Sequence, residues 1–351
     1  MDEKLCFFTG RLVATRTCCL SEIVSAQSID RKEAAQRLAA AQTIALTSHV
    51  RPDGDALGSM LGLGLTLEAQ GKTVHYFHRE GVPSSLVFLE GKEKRIKEKL
   101  SQVEGSPKFD LFVALDTANF DRLACDPSEF GDTEVLVIDH HVTNELYGDF
   151  ALVDSQSPAT AQLVWEIAQA GGWDIPKEAL SPLYVGVSTD TGSFRYANTS
   201  PRTHEMAGNL VARGLDVAEV NRLTYSNYPQ RRIELLRALL GTLRIEAGGV
   251  FASWTLTLEK KEELNYQPGD SEGLIDLIRG IDSVQVCVFF EEGEDGAIRV
   301  SCRSKDARYN VSQLCQAFGG GGHILAAGAR LDGSLVDARK KLIAEFDKQF
   351  A

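Results

Sequence analysis

Short apolar runs rich in β-branched and aromatic residues recur through the first half of the chain, and all four close on a histidine or an aspartate that a strand end would present. TIALTSH (43–49), VHYFH (74–78), FDLFVALD (109–116) and EVLVIDHH (134–141) are nearly continuous in apolar character. Strands of that texture are buried on both faces, which predicts a parallel sheet covered by helices. Helix-period segments alternate with them. Ala34, Ala35, Leu38 and Ala39 follow a cap at Asp30, and a second helix runs from Ala56 to Gln70, ended by Gly71. The stretch 90–101 reads as charged or helical.

Further on, a helix is expected over 159–170, whereas LSPLYVGVSTDTGSF (180–194) fits helix or strand equally. Helical patterns follow over 201–214 and 216–225, then an interdomain helix over 228–243. The texture then changes to alternating strands at 250–258, 284–292, 297–304 and 326–331, with helices near 270–281, 311–318 and 335–350. The expected fold class is α/β: a parallel-sheet N-terminal domain covered by helices (31–226), a linker helix (227–245) and a smaller α/β C-terminal domain (246–351). Residues 1–30 read as an extension with no assigned role.

Composition narrows the function classes. A chain of 351 residues suits two domains. With 49 acidic and 37 basic residues, its net charge of -12 argues against coating long duplex nucleic acid, which needs a broad basic surface. The seven cysteines show no CxxC spacing and form an odd set, which points to a reducing, cytoplasmic setting. No apolar run reaches the roughly 18 residues of a membrane span.

The polar groups at the segment ends carry the chemistry. His49, Asp53 and Asp55 lie on the turn after the first run, Asp116 closes the third, Asp139, His140 and His141 close the fourth, and Asp190 lies in STDTGSF. Any one of these aspartates alone would be read as a helix cap or turn residue, and His75, His78 and His204 as ordinary surface or core residues. Carboxylates mixed with imidazoles and no thiolate suit Mn2+, Mg2+ or Fe2+ better than a structural zinc. The donors exceed what one ion needs, so two ions are expected, an arrangement suited to in-line phosphoryl displacement.

HVRPDGDALGS, ALDTAN, IDHH and STDTGSF resemble the four motifs of the DHH phosphoesterase superfamily. SCRSK (301–305) and GGGGHILAAGA (319–329) resemble the signature of the DHH-associated substrate domain of the first type. The match runs from about residue 35 to the C-terminus, and its length and spacing resemble the bacterial nanoRNase/pAp phosphatase branch. The resemblance implies one metal on His49, Asp53 and Asp116, and a second on Asp55, Asp116, His140 and Asp190, with Asp116 bridging and Mn2+ favoured. Asp139 would orient the neighbouring imidazoles, and His141 would face the scissile phosphate.

Arg303, Ser304, the glycines Gly320, Gly321 and Gly322, and His323 would grip substrate, with Arg299, Lys305 and Arg308 making that face locally basic. The implied reaction is attack of a metal-activated hydroxide on short oligoribonucleotides, giving 5′-mononucleotides, and on pAp, giving AMP. The alternatives are a phosphodiesterase for cyclic or linear signalling dinucleotides and a non-catalytic nucleotide-binding regulator; a family II pyrophosphatase would lack the glycine-rich histidine motif. Expected partners are short oligonucleotides or nucleotides, with no long duplex and no membrane; a homodimer is allowed.

Overall fold

The computed structural model describes residues 26–350 except 92, 93, 104, 106, 268 and 272, so the first 25 residues of the expected extension lie outside the described residues. In chain order the first domain comprises β1 (Gln27–Ser28), α1 (Arg31–Ala40), β2 (Thr43–Thr47), α2 (Gly54–Ala69), β3 (Thr73–Phe77), β4 (Ile96–Lys97), β5 (Leu111–Leu115), β6 (Glu134–Asp139), β7 (Phe150–Val153), α3 (Thr160–Gly171), α4 (Lys177–Asp190), α5 (Pro201–Ala212) and α6 (Val217–Tyr225). Helix α7 (Gln230–Thr242) leads into β8 (Arg244–Glu246), β9 (Phe251–Leu256), α8 (Leu258–Glu263), α9 (Ile275–Arg279), β10 (Val286–Glu292), β11 (Ala297–Ser304), α10 (Val311–Gln316), β12 (Gly321–His323), β13 (Ala326–Asp332) and α11 (Leu335–Phe350).

The seven strands of the first sheet are all parallel, in the order β1-β7-β6-β5-β2-β3-β4. Every residue of β5 and all but the first of β6 are buried, as expected for strands covered on both faces. The strand order reverses between β2 and β5. Carboxyl ends diverge at such a switch point and open a crevice, and the segments carrying His49 and Asp116 leave the sheet there.

Residues 26–30 join this sheet: Gln27 and Ser28 pair with Phe150 and Ala151 of β7, and Asp30 caps α1 by accepting from the Glu33 amide at 2.8 Å. The sheet thus takes in residues ahead of position 31, where α1 begins. The stretch 90–101 holds no α-helix among its described residues, only short 3-10 turns around β4. Segment 180–194 resolves as helix through Asp190. There α4 lies against α2, an apolar helix buried almost all round. A Cβ on Gly186 of α4 would sit 2.6 Å from Ala161 Cβ and 2.8 Å from Asp55 Oδ1, so glycine sets how closely α2, α3 and α4 converge.

The second sheet is mixed, in the order β12-β13-β11-β10-β9-β8. Burial alternates along β11, because successive strand residues face opposite sides. One face packs on α10 and α11. The other is covered by α7 and α9 over β9 and β10, and is only partly buried over β11, β13 and β12. Among the described residues no helix is long and apolar enough to cross a membrane.

Candidate metal centre

Asp116 is the first residue after β5 and adopts a left-handed backbone at φ 52°, a conformation costly for a residue with a Cβ and typical of functional turns. Its amide is held by the Ile138 carbonyl at 3.0 Å. Its carboxylate sits between two imidazoles, with Oδ2 3.5 Å from His49 Nε2 and Oδ1 3.4 Å from His140 Nε2. Asp53 Oδ2 lies 3.7 Å from His49 Nε2, and Asp190 Oδ2 lies 3.3 Å from His140 Nε2. These separations are long for hydrogen bonds but near the roughly 3 Å between adjacent ligand atoms around an octahedral divalent ion.

The side chains form three groupings whose donor atoms lie within 4.8 Å of one another: His49, Asp53 and Asp116; Asp55, His140 and Asp190; and Asp116, His140 and His141. Asp116 turns one oxygen toward His49 and the other toward His140, which is the geometry a bridging carboxylate needs.

Local structure fixes each donor. Asp53 caps α2: its Oδ1 accepts from the Asp55 and Ala56 amides, both at 3.0 Å, and its Oδ2 is left for the crevice. The cap and the donor are two oxygens of one residue. Asp55 is fully buried, with Oδ2 accepting from Thr160 N at 2.6 Å and Oδ1 from Ala161 N at 2.8 Å. It caps α3 from across the fold, where Ala159 has no capping side chain. His49 Nδ1 lies 2.9 Å from the Val50 carbonyl, which suits an N–H there and leaves Nε2 toward the acids.

The electrostatics show what this arrangement lacks. Burial, then the Asp116 charge, push the Asp55 carboxyl well above the usual range, and burial, then Asp55, do the same to Asp190. Burial opposes ionisation of Asp116 too, yet His140 and His49 hold its carboxyl well below the usual range. Against the cost of their own burial, Asp116 draws both imidazoles well above 6.5. Four carboxyls converging on two imidazoles cannot all ionise without further positive charge, and this hard oxygen-rich donor set fits divalent cations. Mn2+ at about a hundred times its Kd is expected to stabilise the fold by about 2.7 kcal/mol, read as a rise of several degrees in Tm over protein in EDTA. An unchanged Tm would remove the cation site.

Asp139 is fully buried and belongs to none of the groupings. Its Oδ1 accepts from the His140 amide at 2.9 Å and from His141 Nδ1 at 2.8 Å, and its Oδ2 accepts from Asn144 Nδ2 at 2.6 Å. Held this way, His141 presents its other nitrogen to the cleft.

Three supporting residues escaped the sequence reading. Thr160 donates its hydroxyl to Asp116 Oδ1 at 3.1 Å, and Asn144 braces Asp139. His78, read as an ordinary residue, is buried with Nε2 3.0 Å from the His49 carbonyl. Thr160 is far from the motifs in sequence, so spacing carries no signal for it; the hints were His78 at the close of the run 74–78 and Asn144, five residues after Asp139.

The second domain reaches this centre through His323 on β12, whose ring stacks on His141 at 5.1 Å and lies 6.0 Å from His140. Burial and those two imidazoles push its pKa down to about 4, so it is neutral near pH 7. Gly322 has φ 140°, and a Cβ there would meet the Ala326 carbonyl at 2.6 Å. Gly320 packs on Gly328 and Ala329, while Gly321 opens onto free space.

Arg303 stands opposite Ala326, which stands opposite His323, so all three share one sheet face. Ser304 is not brought there. It is buried on the other face, where its hydroxyl donates to the Asp306 carbonyl at 2.8 Å, because adjacent strand residues point to opposite sides. Lys305 binds the Ile281 backbone carbonyl, and Arg308 pairs with Asp306 at 2.7 Å, so both are engaged locally.

The comparisons with known proteins agree with this architecture. Residues 43–187 match the DHH family N-terminal domain, and residues 250–351 match the DHHA1 domain. The chain is 35% identical over 303 residues to the bifunctional oligoribonuclease and PAP phosphatase NrnA of Thermus thermophilus, covering 86% of this chain and 88% of that one. It is 30% identical to the protein of the same name from Bacillus subtilis, covering 82% and 89%. A crystal structure of an exopolyphosphatase-related protein from Bacteroides fragilis superposes with a TM-score of 0.81 at 26% identity, covering 91% of this chain and 95% of that one. With two such domains in one polypeptide and relatives matched over most of their length, this chain belongs to the DHH family of phosphoesterases, a family of metal-dependent hydrolases.

Proposed function

We propose that this enzyme hydrolyses short oligoribonucleotides to 5′-mononucleotides and removes the 3′-phosphate of pAp. The observation that carries the reading is the convergence of the donors on one crevice, with His323 of the second domain stacked on His141 at 5.1 Å above it. The names of the relatives from Thermus thermophilus and Bacillus subtilis, oligoribonuclease and PAP phosphatase, support the substrate class. His49, Asp53 and Asp116 would hold one divalent ion, and Asp55, Asp116, His140 and Asp190 the second, with Mn2+ the preferred metal. Ions bound there supply Lewis acidity, which lowers the pKa of water and stabilises charge on phosphoryl oxygens.

The chain supplies the rest. Asp139 fixes the His141 ring so that its free nitrogen faces the scissile phosphate. His323, neutral near pH 7, provides a flat surface and a hydrogen bond without adding charge. Gly321 leaves room for a backbone approach, and Arg303 is placed to fork onto a phosphate. The free cysteines Cys125, Cys287, Cys302 and Cys315 support a cytoplasmic setting.

Turnover of pApA, pAp, a cyclic dinucleotide and pyrophosphate, each in Mn2+ and in Mg2+, tests the reading. Highest kcat/KM for pApA and pAp is expected, and preference for the cyclic dinucleotide or pyrophosphate would overturn it. Arg303→Ala should raise KM about 10-fold with kcat nearly kept, since a phosphate grip away from the reacting bond acts on ground and transition state alike.

A further inference from the structure

A turn next to the metal centre is tied to the second domain through one side chain. Helix α4 ends at Asp190, and the chain then winds through Gly192, Ser193 and Phe194, all left-handed at φ 57°, 58° and 62°. Ser193 and Phe194 carry a Cβ, so the turn is held against its own backbone preference. Local bonds hold it. The Thr191 carbonyl accepts from the Arg195 and Tyr196 amides at 2.9 and 3.0 Å, and Asn198 Nδ2 donates to the Asp190 carbonyl at 3.0 Å. Tyr196 folds back over this turn. A Cβ on Gly192 would lie 2.3 Å from Tyr196 Cζ, so the ring rests directly on the backbone two residues beyond Asp190.

The other side of Tyr196 meets α9 of the second domain. Its hydroxyl donates to Asp276 Oδ2 at 3.2 Å, and the Arg279 guanidinium stands over its ring, 4.7 Å from the centroid. Asp276 and Arg279 lie three residues apart on α9 and pair with each other at 3.1 Å. So short a helix has no stability of its own, but Leu274, Ile275 and Ile278 are buried in one core with residues of β9 and β10. The acceptor and the cation are thereby fixed to the sheet that carries Arg303 and His323. Between α6 and α7 the chain crosses from one domain to the other over residues 226–229, which are non-helical and mostly exposed. Domains linked in this way move relative to each other unless contacts hold them.

We propose that Tyr196 is a positioning residue with two separable roles: its hydroxyl, bound to Asp276, latches the second domain over the metal centre, and its ring, seated on Gly192, keeps the turn that aims Asp190 at His140. Asp190 Oδ2 lies 3.3 Å from His140 Nε2, a separation that a shift of the turn would change. The two roles use different atoms. Tyr196→Phe removes the hydroxyl and leaves the ring under Arg279 and over Gly192, whereas Tyr196→Ala removes both. The inference rests on the pAp reading above only for the choice of substrate.

A substrate that touches both domains binds in proportion to the fraction of protein that is closed. Losing a hydrogen bond to a carboxylate should therefore raise KM for pAp about 10-fold in Tyr196→Phe, with kcat and the Mn2+ Kd nearly unchanged. Asp276→Ala should give a similar rise, and the double variant no more than either, because both changes remove one bond. Tyr196→Ala should in addition weaken Mn2+ about 10-fold, read by calorimetry without substrate, as the turn behind one donor loosens. Small-angle scattering of the Mn2+-loaded chain should show a larger radius of gyration for Tyr196→Phe and Asp276→Ala than for wild type. A Tyr196→Phe variant that keeps the wild-type KM, or scatters as wild type does, overturns the latch. A fall in its kcat with KM unchanged also overturns it. Wild-type Mn2+ affinity in Tyr196→Ala overturns the seat on Gly192. If wild type does not turn over pAp, the activity reading fails, while scattering and calorimetry, which use no substrate, still decide both roles.

Discussion

Replacing Asp116 with alanine is expected to lower kcat by at least about 10³-fold, some 4 kcal/mol of transition-state stabilisation, and to abolish the rise in Tm that Mn2+ produces. The reason is positional. Among the described residues no other carboxylate turns one oxygen to His49 and the other to His140, at 3.5 and 3.4 Å, so its loss removes a donor from two of the three groupings at once. Truncation also removes the carboxylate that does most to raise both imidazoles. Turnover assays and melting curves with and without Mn2+ check it. Activity within a factor of ten of wild type, or an intact metal-induced shift, would take the bridging position away from Asp116.

The second large effect is expected from a single methyl group added at a residue that is not itself a donor. Gly186→Ala would place a carbon 2.6 Å from Ala161 Cβ and 2.8 Å from Asp55 Oδ1. Helices α3 and α4 must then separate, at a cost of about 1–3 kcal/mol for overpacking, which is some 2–12 °C in Tm for a domain of this size. Asp55 would shift from the α3 amides that hold it, and a donor misplaced by about 1 Å costs about 10²-fold in turnover. Gly208→Ala is the control. It lies in α5 with nothing within 4 Å of an added Cβ, so the helix propensity of alanine should leave Tm unchanged or raise it by up to about 1 kcal/mol of stability. Equal melting of both variants would refute the packing argument.

Both predictions concern the relation between residues that sequence could name and distances it could not supply. The apolar runs at 43–49, 109–116 and 134–141 announced buried parallel strands because their composition is set by burial on two faces, a local property of each segment. The donor residues were nameable because their types and their place at segment ends are also local, and the motifs strengthened that reading. Segment 180–194 stayed ambiguous between helix and strand because a short fully buried run has no polar face from which to read a period. The two-residue strands β1 and β4 were missed because such short segments owe their pairing entirely to the sheet edge beside them. Ser304 was assigned with its neighbour Arg303 as a motif, but strand alternation sends the two side chains to opposite faces.

The sequence by itself named the candidate donors and most of the longer strands, and showed that two α/β units of different texture follow one another. Tertiary structure alone decided that Asp55 caps a helix more than a hundred positions away through Thr160 and Ala161, and that His78 and Asn144 brace the donors. The physical reason is that composition and periodicity record what each segment needs from its immediate surroundings, burial or solvent, whereas a site is made of distances between segments. Those distances follow from strand order and from how closely helices such as α2 and α4 can approach.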